Sequence, residues 1–245
     1  MTSSLSNAKC TGMEITLPRM PKAGPEFFAT NSVSQLNAWP QTSLSELGVL
    51  PFPMQYDQTT DRYTVSGWSA VLAEVAHALL EADEVVITGN HEFAEELDSL
   101  QIILSNCIRA SVKLHTPTPI ADPLVTETRA RRVSIVIGVS LPVPATTSLS
   151  GYELVVCMCD TPSVAMFSSP SQAIALPVTS DGWRLSHVAF HRLLDIESEQ
   201  SASYHYEELF EDTSLLSRPL CSVIARLLRQ VKIQRESNSL RALTR

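Results

Sequence analysis

Glycine is scarce in this chain, with eight residues of 245 against an ordinary usage of about 7%. Phosphate-cradling loops depend on glycine where backbone must approach a ligand closely. Neither G-x-G-x-x-G nor G-x-x-x-x-G-K-[ST] occurs, so ordinary nucleotide-binding enzymes are disfavoured. Long apolar runs are also missing. The longest, from Val133 to Val143, is about half of the roughly 20 residues that a membrane-spanning helix requires. Met1 to Cys10 lacks the charged and apolar regions of a secretory leader, and no Asn-x-Ser/Thr sequon occurs. The cysteines are odd in number and scattered (Cys10, Cys107, Cys157, Cys159, Cys221). Free thiols in a reducing compartment, cytoplasmic or nuclear, are therefore expected.

Basic side chains are absent between Arg62 and Arg109, a span that holds eight acids. They concentrate at the other end of the chain. Residues 218–245 carry seven basic groups and one acid, for +6, and because the whole chain carries −8, residues 1–217 carry −14. An acidic body with a basic C-terminal segment predicts charge-guided contact with a partner. Arginine outnumbers lysine 14 to 4, which suits bidentate pairing with carboxylate or phosphate.

What is present is a set of periodic segments in a chain long enough, at 44% hydrophobic, to bury a sizeable core. Trp68, Val71, Leu72, Val75 and Leu79 recur at helical spacing, as do Phe93, Leu97, Leu100 and Leu104. A strand over 83–88 and another over 110–115 alternate with these helices, which predicts a βαβ-like unit. Val133, Ile135, Ile137, Val139, Leu141 and Val143 occupy every second position, the period of a strand. Leu154 to Cys159 is apolar on both faces, as in a strand inside a sheet. The two runs predict a central antiparallel hairpin at about 129–160. Further segments read as a strand over 173–178, helices over 184–196 and 204–216, and a last helix from Pro219. That helix has one apolar stripe: Leu220, Val223, Ile224, Leu227, Leu228 and Val231. Before residue 60, prolines at 18, 21, 25, 40, 51 and 53 forbid a long helix and predict an extended arm with a short helix near Ser43 to Gly48. The expected architecture is α+β, with an arm over 1–60 and a core domain over 61–245 in which helices pack on a mixed sheet.

Few side chains form a set that could carry chemistry. Gly89-Asn90-His91-Glu92 follows an apolar strand and resembles one motif of the calcineurin-like metallophosphoesterases. That resemblance implies metal and phosphate contacts from Asn90 and His91. The family's Asp-x-His and Gly-Asp-x-x-Asp motifs are absent from the chain, and without them a two-metal site cannot be assembled. A turn and a helix cap is the plainer reading. His187, His191 and Asp195 fall at i, i+4, i+8 of an expected helix and could share a metal, although wet-face histidines are commoner. Cys157-x-Cys159 places two thiols on one strand face without the C-x-x-C spacing of zinc knuckles, and reads as core.

The expectation is therefore a non-enzymatic structural or interaction protein without cofactor or metal, self-assembling in the manner of a viral matrix, capsid or accessory subunit. Arg218, Arg226, Arg229, Lys232 and Arg235 are its expected contacts to an acidic protein surface or, secondarily, to nucleic acid. The alternative is a metal-dependent, phosphoesterase-like hydrolase centred on Asn90, His91 and Glu92.

Overall fold

The computed structural model describes residues 24–89, 94–115, 130–138, 151–162, 166, 172–179 and 218–243. In chain order these form α1 (Pro25–Thr30), α2 (Val33–Asn37), α3 (Gln41–Ser45), β1 (Met54–Asp57), β2 (Arg62–Val65), α4 (Trp68–Glu81) and β3 (Glu84–Gly89). Then follow α5 (Ala94–Cys107), β4 (Ser111–His115), β5 (Arg132–Gly138), β6 (Leu154–Cys159), β7 (Gln172–Thr179), β8 (Arg218–Pro219) and α6 (Leu220–Leu243).

The strands join in the order β2-β1-β7-β6-β5-β3-β4, with β8 pairing β7. From β7 to β4 every pairing is parallel, while β1 runs antiparallel to both β2 and β7. The fold is thus α+β, a mixed sheet with helices on it, and its antiparallel part is the β2–β1–β7 side. The expected central hairpin is corrected: β5 and β6 are neighbours, but they pair in parallel, Val133 opposite Leu154 through Gly138 opposite Cys159. Parallel neighbours need a crossover of about a dozen residues or more, and residues 139–153 are long enough to supply it. A strand apolar on both faces, as β6 is, also suits a sheet covered on both sides.

Alternation along the strands feeds two cores. Leu154, Val156 and Met158 of β6 face one side with Val133, Ile135 and Ile137 of β5, under the buried stripes of α4, α5 and α6. The α5 contribution is Leu97, Leu100, Ile103 and Leu104, and α6 contributes all six residues of its expected stripe. Each such side chain, fully buried, contributes about 1.5–3 kcal/mol. Val155, Cys157 and Cys159 face the other side with Ala173 and Ala175, beneath Phe28, Val33, Leu36, Leu44 and Leu50.

That second layer corrects the extended arm. Residues 25–57 form three short helices and a sheet strand, so the expected boundary near residue 60 falls inside the β1–β2 hairpin. Prolines limit the helices to single turns or little more, yet the segment is well specified. Pro25 opens α1, where its missing N–H costs nothing. Ser32 and Gln35 form a reciprocal capping box on α2, Gln35 N–H donating to Ser32 Oγ (3.2 Å) and Ser32 N–H to Gln35 Oε1 (3.1 Å). Phe28 meets Tyr63 edge-on with centroids 6.5 Å apart, and Tyr63 donates to the Met166 carbonyl at 2.6 Å.

Candidate functional site

Numbered among themselves, the five parallel strands run β4-β3-β5-β6-β7. The chain moves outward once, from β3 to β4, then returns to the far side of β3 and proceeds the other way. Connections after β3 and after β5 therefore diverge, and in open α/β sheets a crevice forms outside the carboxyl ends of two such strands. β3 and β5 flank the reversal of strand order among the described parallel strands.

Two of the chain's eight glycines stand there, Gly89 closing β3 and Gly138 closing β5. Gly89 lets α5 sit close to the strand: a Cβ at this position would lie 2.9 Å from Cδ1 and 3.0 Å from Cδ2 of Leu97. Directly before it comes Thr88. Among the described residues, Thr88 and Ser134 are the two buried polar side chains, each 1% exposed. The register sets Thr88 opposite Val136 and Val86 opposite Ser134, so the two hydroxyls are diagonal neighbours on one face of β3 and β5. Ser134 Oγ has no hydrogen-bond partner among the described residues, although leaving a buried hydroxyl unsatisfied costs about 1–3 kcal/mol.

The opposite end of the same strands is a charge clamp. Glu84 at the start of β3 accepts from Lys113 Nζ on one side (2.6 Å) and from Arg132 Nε and Nη2 on the other (3.0 and 2.8 Å). The Arg132 guanidinium also lies 4.7 Å from the centroid of the Tyr152 ring, a favourable cation–π distance. Lys113, with Arg132 adding to it, holds the Glu84 carboxyl below its ordinary value. One carboxylate thus stands between two cations, and the clamp joins β3, β4, β5 and the chain before β6.

The structure separates the expected basic contacts. Arg218 is in β8, and Arg226 and Arg229 are half-buried along α6. Lys232 and Arg235 are exposed, but Arg235 Nη1 donates to the Cys107 carbonyl at 3.2 Å. That carbonyl ends α5, a helix without a basic residue in its own last turn, so Arg235 supplies from another helix the cation that the negative end of the α5 dipole favours. Burial raises the Cys107 thiol, and the charges of Arg235 and Lys232 partly offset this. Cys157 and Cys159 are free, buried core residues; burial alone pushes Cys157 up to about 12. Neither thiol is poised as a nucleophile.

Asn90, His91, Glu92 and Phe93, as well as His187, His191 and Asp195 and the helices expected over 184–196 and 204–216, lie outside the described residues. Among the described residues no three His, Cys, Asp or Glu side chains gather as a metal site would require, and no helix is long and apolar enough to cross a membrane. Sequence reading missed Thr88, Ser134 and Gly138. Their one visible signal was polar or small residues at alternate positions of otherwise apolar strands.

No family model matches the sequence, and no curated protein matches it. A solved structure similar to this chain is the sugar isomerase domain of an RpiR transcription factor from Sphaerobacter thermophilus. The two share 14% identity at a TM-score of 0.43, over 71% of this chain and 84% of that one. The expectation of a self-assembling viral matrix, capsid or accessory subunit is corrected on this point: the similar structure is a domain of a bacterial regulator, not a viral structural protein.

Proposed function

We propose that this chain is a ligand-binding domain of regulatory type that takes a small polar metabolite at the carboxyl ends of β3 and β5. The observation carrying this reading is the reversal of strand order between those two strands, which opens a crevice where backbone and loop groups can converge on a small molecule. The glycines that close both strands support it, since they allow close backbone approach. Binding rather than catalysis is favoured by the sequence, which contains no complete catalytic motif. The protein would act in the cytoplasm or nucleus, where free thiols persist.

The test is amide hydrogen exchange with and without hits from a metabolite panel that raise the melting temperature. Protection is expected at the ends of β3 and β5 and in the first turn of α5. Protection confined to α6 or to α1–α3, or a panel without any stabilising compound, would refute the reading.

A second reading concerns the outer turns of α6. Among the described residues Val231 is its last buried one, and beyond it Lys232, Ile233, Leu240 and Arg241 are exposed. Basic and apolar groups on a projecting helix suit an acidic protein partner better than a nucleic acid, because the −14 body repels a polyanion around it.

A further inference from the structure

The outer end of α6 deepens the second reading, of an acidic protein partner, and rests on it. The helix starts beside the end of β7, where β8 pairs with Val178 and Thr179, and runs back across the helical layer. Gln234 Nε2 donates to the Ala73 carbonyl of α4 at 2.9 Å, and Arg235 Nη1 donates to the carbonyl that ends α5. From Arg235 the helix continues to Leu243, about two turns and about 12 Å further. It thus overruns the end of α5. From Lys232 to Ala242 every residue except Gln234 is exposed. Helical turns in water draw little stability from propensity alone, and Ser237, Asn238 and Ser239 are middling to poor helix formers, so a covering surface would stabilise this end.

The outward side of these turns carries a pattern. At about 100° per residue, Ile233 lies about 200° around the helix from Val231, which is buried, and so points away from the body. Leu240 follows seven residues on, within about 20° of the same line. The two are 46% and 65% exposed. Lys232 and Arg241 fall about 90° to either side of that line. Residues 232–243 carry three basic groups and one acid, Glu236, for +2, in a chain of −8. An apolar line flanked by cations is half of a helix–helix seam, in which flanking charges select the partner. A nucleic-acid duplex would meet the cations but present a polyanion to the acidic body, and a second copy of this helix would bring like charges onto both flanks. We propose that the outer face of α6, centred on Ile233 and Leu240, docks an acidic amphipathic helix of another protein. The two apolar side chains pack into the seam of that helix, and Lys232 and Arg241 meet carboxylates on its flanks.

Fluorescence anisotropy tests this on the full chain with a labelled synthetic peptide of about three heptads, leucine at its seam positions and glutamate on both flanks. The comparators are a scrambled peptide of the same composition, a DNA duplex, and vesicles containing phosphatidylserine. The heptad peptide is expected to bind more tightly than its scrambled form and to weaken in about 1 M salt, where the screening length is about 3 Å. Ile233→Ser and Leu240→Ser should each lower its affinity about tenfold, as for loss of one buried apolar side chain, and Lys232→Glu should lower it more at low salt than at high. All three positions are exposed, so the variants should keep the wild-type urea midpoint and any lost binding is not lost folding. Equal binding of the two peptides, or unchanged affinity in both serine variants, would overturn the helical seam and leave an acidic partner in place. Binding of neither peptide, with or without binding of DNA or vesicles, would overturn this inference and the acidic-partner reading together. A light-scattering mass of two chains that falls to one in Leu240→Ser would also overturn the inference, by placing a second copy on this face.

Discussion

Replacing Gly89 with alanine tests how tightly α5 is seated on the end of β3. The added methyl would stand 2.9 Å and 3.0 Å from the two Leu97 methyl carbons, where carbon atoms ordinarily rest about 3.5–4.0 Å apart. Leu97 is 2% exposed within the main core, so the half ångström or more that it must yield is passed to close-packed neighbours. Overpacking of this kind costs about 1–3 kcal/mol, offset by about 0.4–1 kcal/mol from the smaller backbone entropy of an unfolded chain with alanine in place of glycine. A net loss of roughly 0.5–2 kcal/mol is expected, read as a lower urea midpoint by far-UV circular dichroism. Leu97→Ala alone should cost about 2–5 kcal/mol. In that background the new methyl finds room, so Gly89→Ala should become neutral or stabilising, with a coupling of about 1–3 kcal/mol across the cycle. An equal cost of Gly89→Ala in both backgrounds would refute the argument that Leu97 is what requires glycine here.

Acid should erode the Glu84 clamp. Because the folded protein holds this carboxyl below its ordinary value, its contribution is full above the unfolded value of about 4.3 and is lost as pH falls through the folded value; the gap in urea midpoint between wild type and Glu84→Gln should narrow from pH 7 to pH 3, and a constant gap would contradict the linkage. At the end of α6, Arg235→Gln should lower stability by about 0.3–1 kcal/mol at low salt through loss of the α5 cap, while Lys232→Gln changes it by less than about 0.5 kcal/mol. Neither RNA nor DNA should be retained at physiological salt, and salt-sensitive nucleic-acid binding lost in Lys232→Gln would count against the acidic-protein reading of this helix end.

Local patterns specified most of the elements. The 3.6-residue stripes of α4, α5 and α6 and the alternating or doubly apolar runs of β3 to β7 are written in short stretches of sequence, because a helix or strand must bury its face whatever it packs against. The buried face of α5 was legible from Leu97, Leu100 and Leu104. Even α2 carried a signal, since Ser32 three residues before Gln35 is the pattern of a capping box.

Strand direction was decided only by the tertiary structure. Alternation in β5 and β6 determines which side chains share a face, but the same faces result from parallel or antiparallel pairing, so Val133 to Gly138 and Leu154 to Cys159 are equally consistent with a hairpin and a crossover. Longer-range packing settles the matter through the layer that covers each face. The position of the candidate site follows from that choice: Gly89, Thr88 and Ser134 are separate residues on separate apolar runs until β3 and β5 lie side by side in parallel. Only then do their ends diverge at one edge and two buried hydroxyls become neighbours. Sequence determined what each segment must bury, whereas the candidate site depends on strand order, which is a property of contacts between segments far apart in the chain.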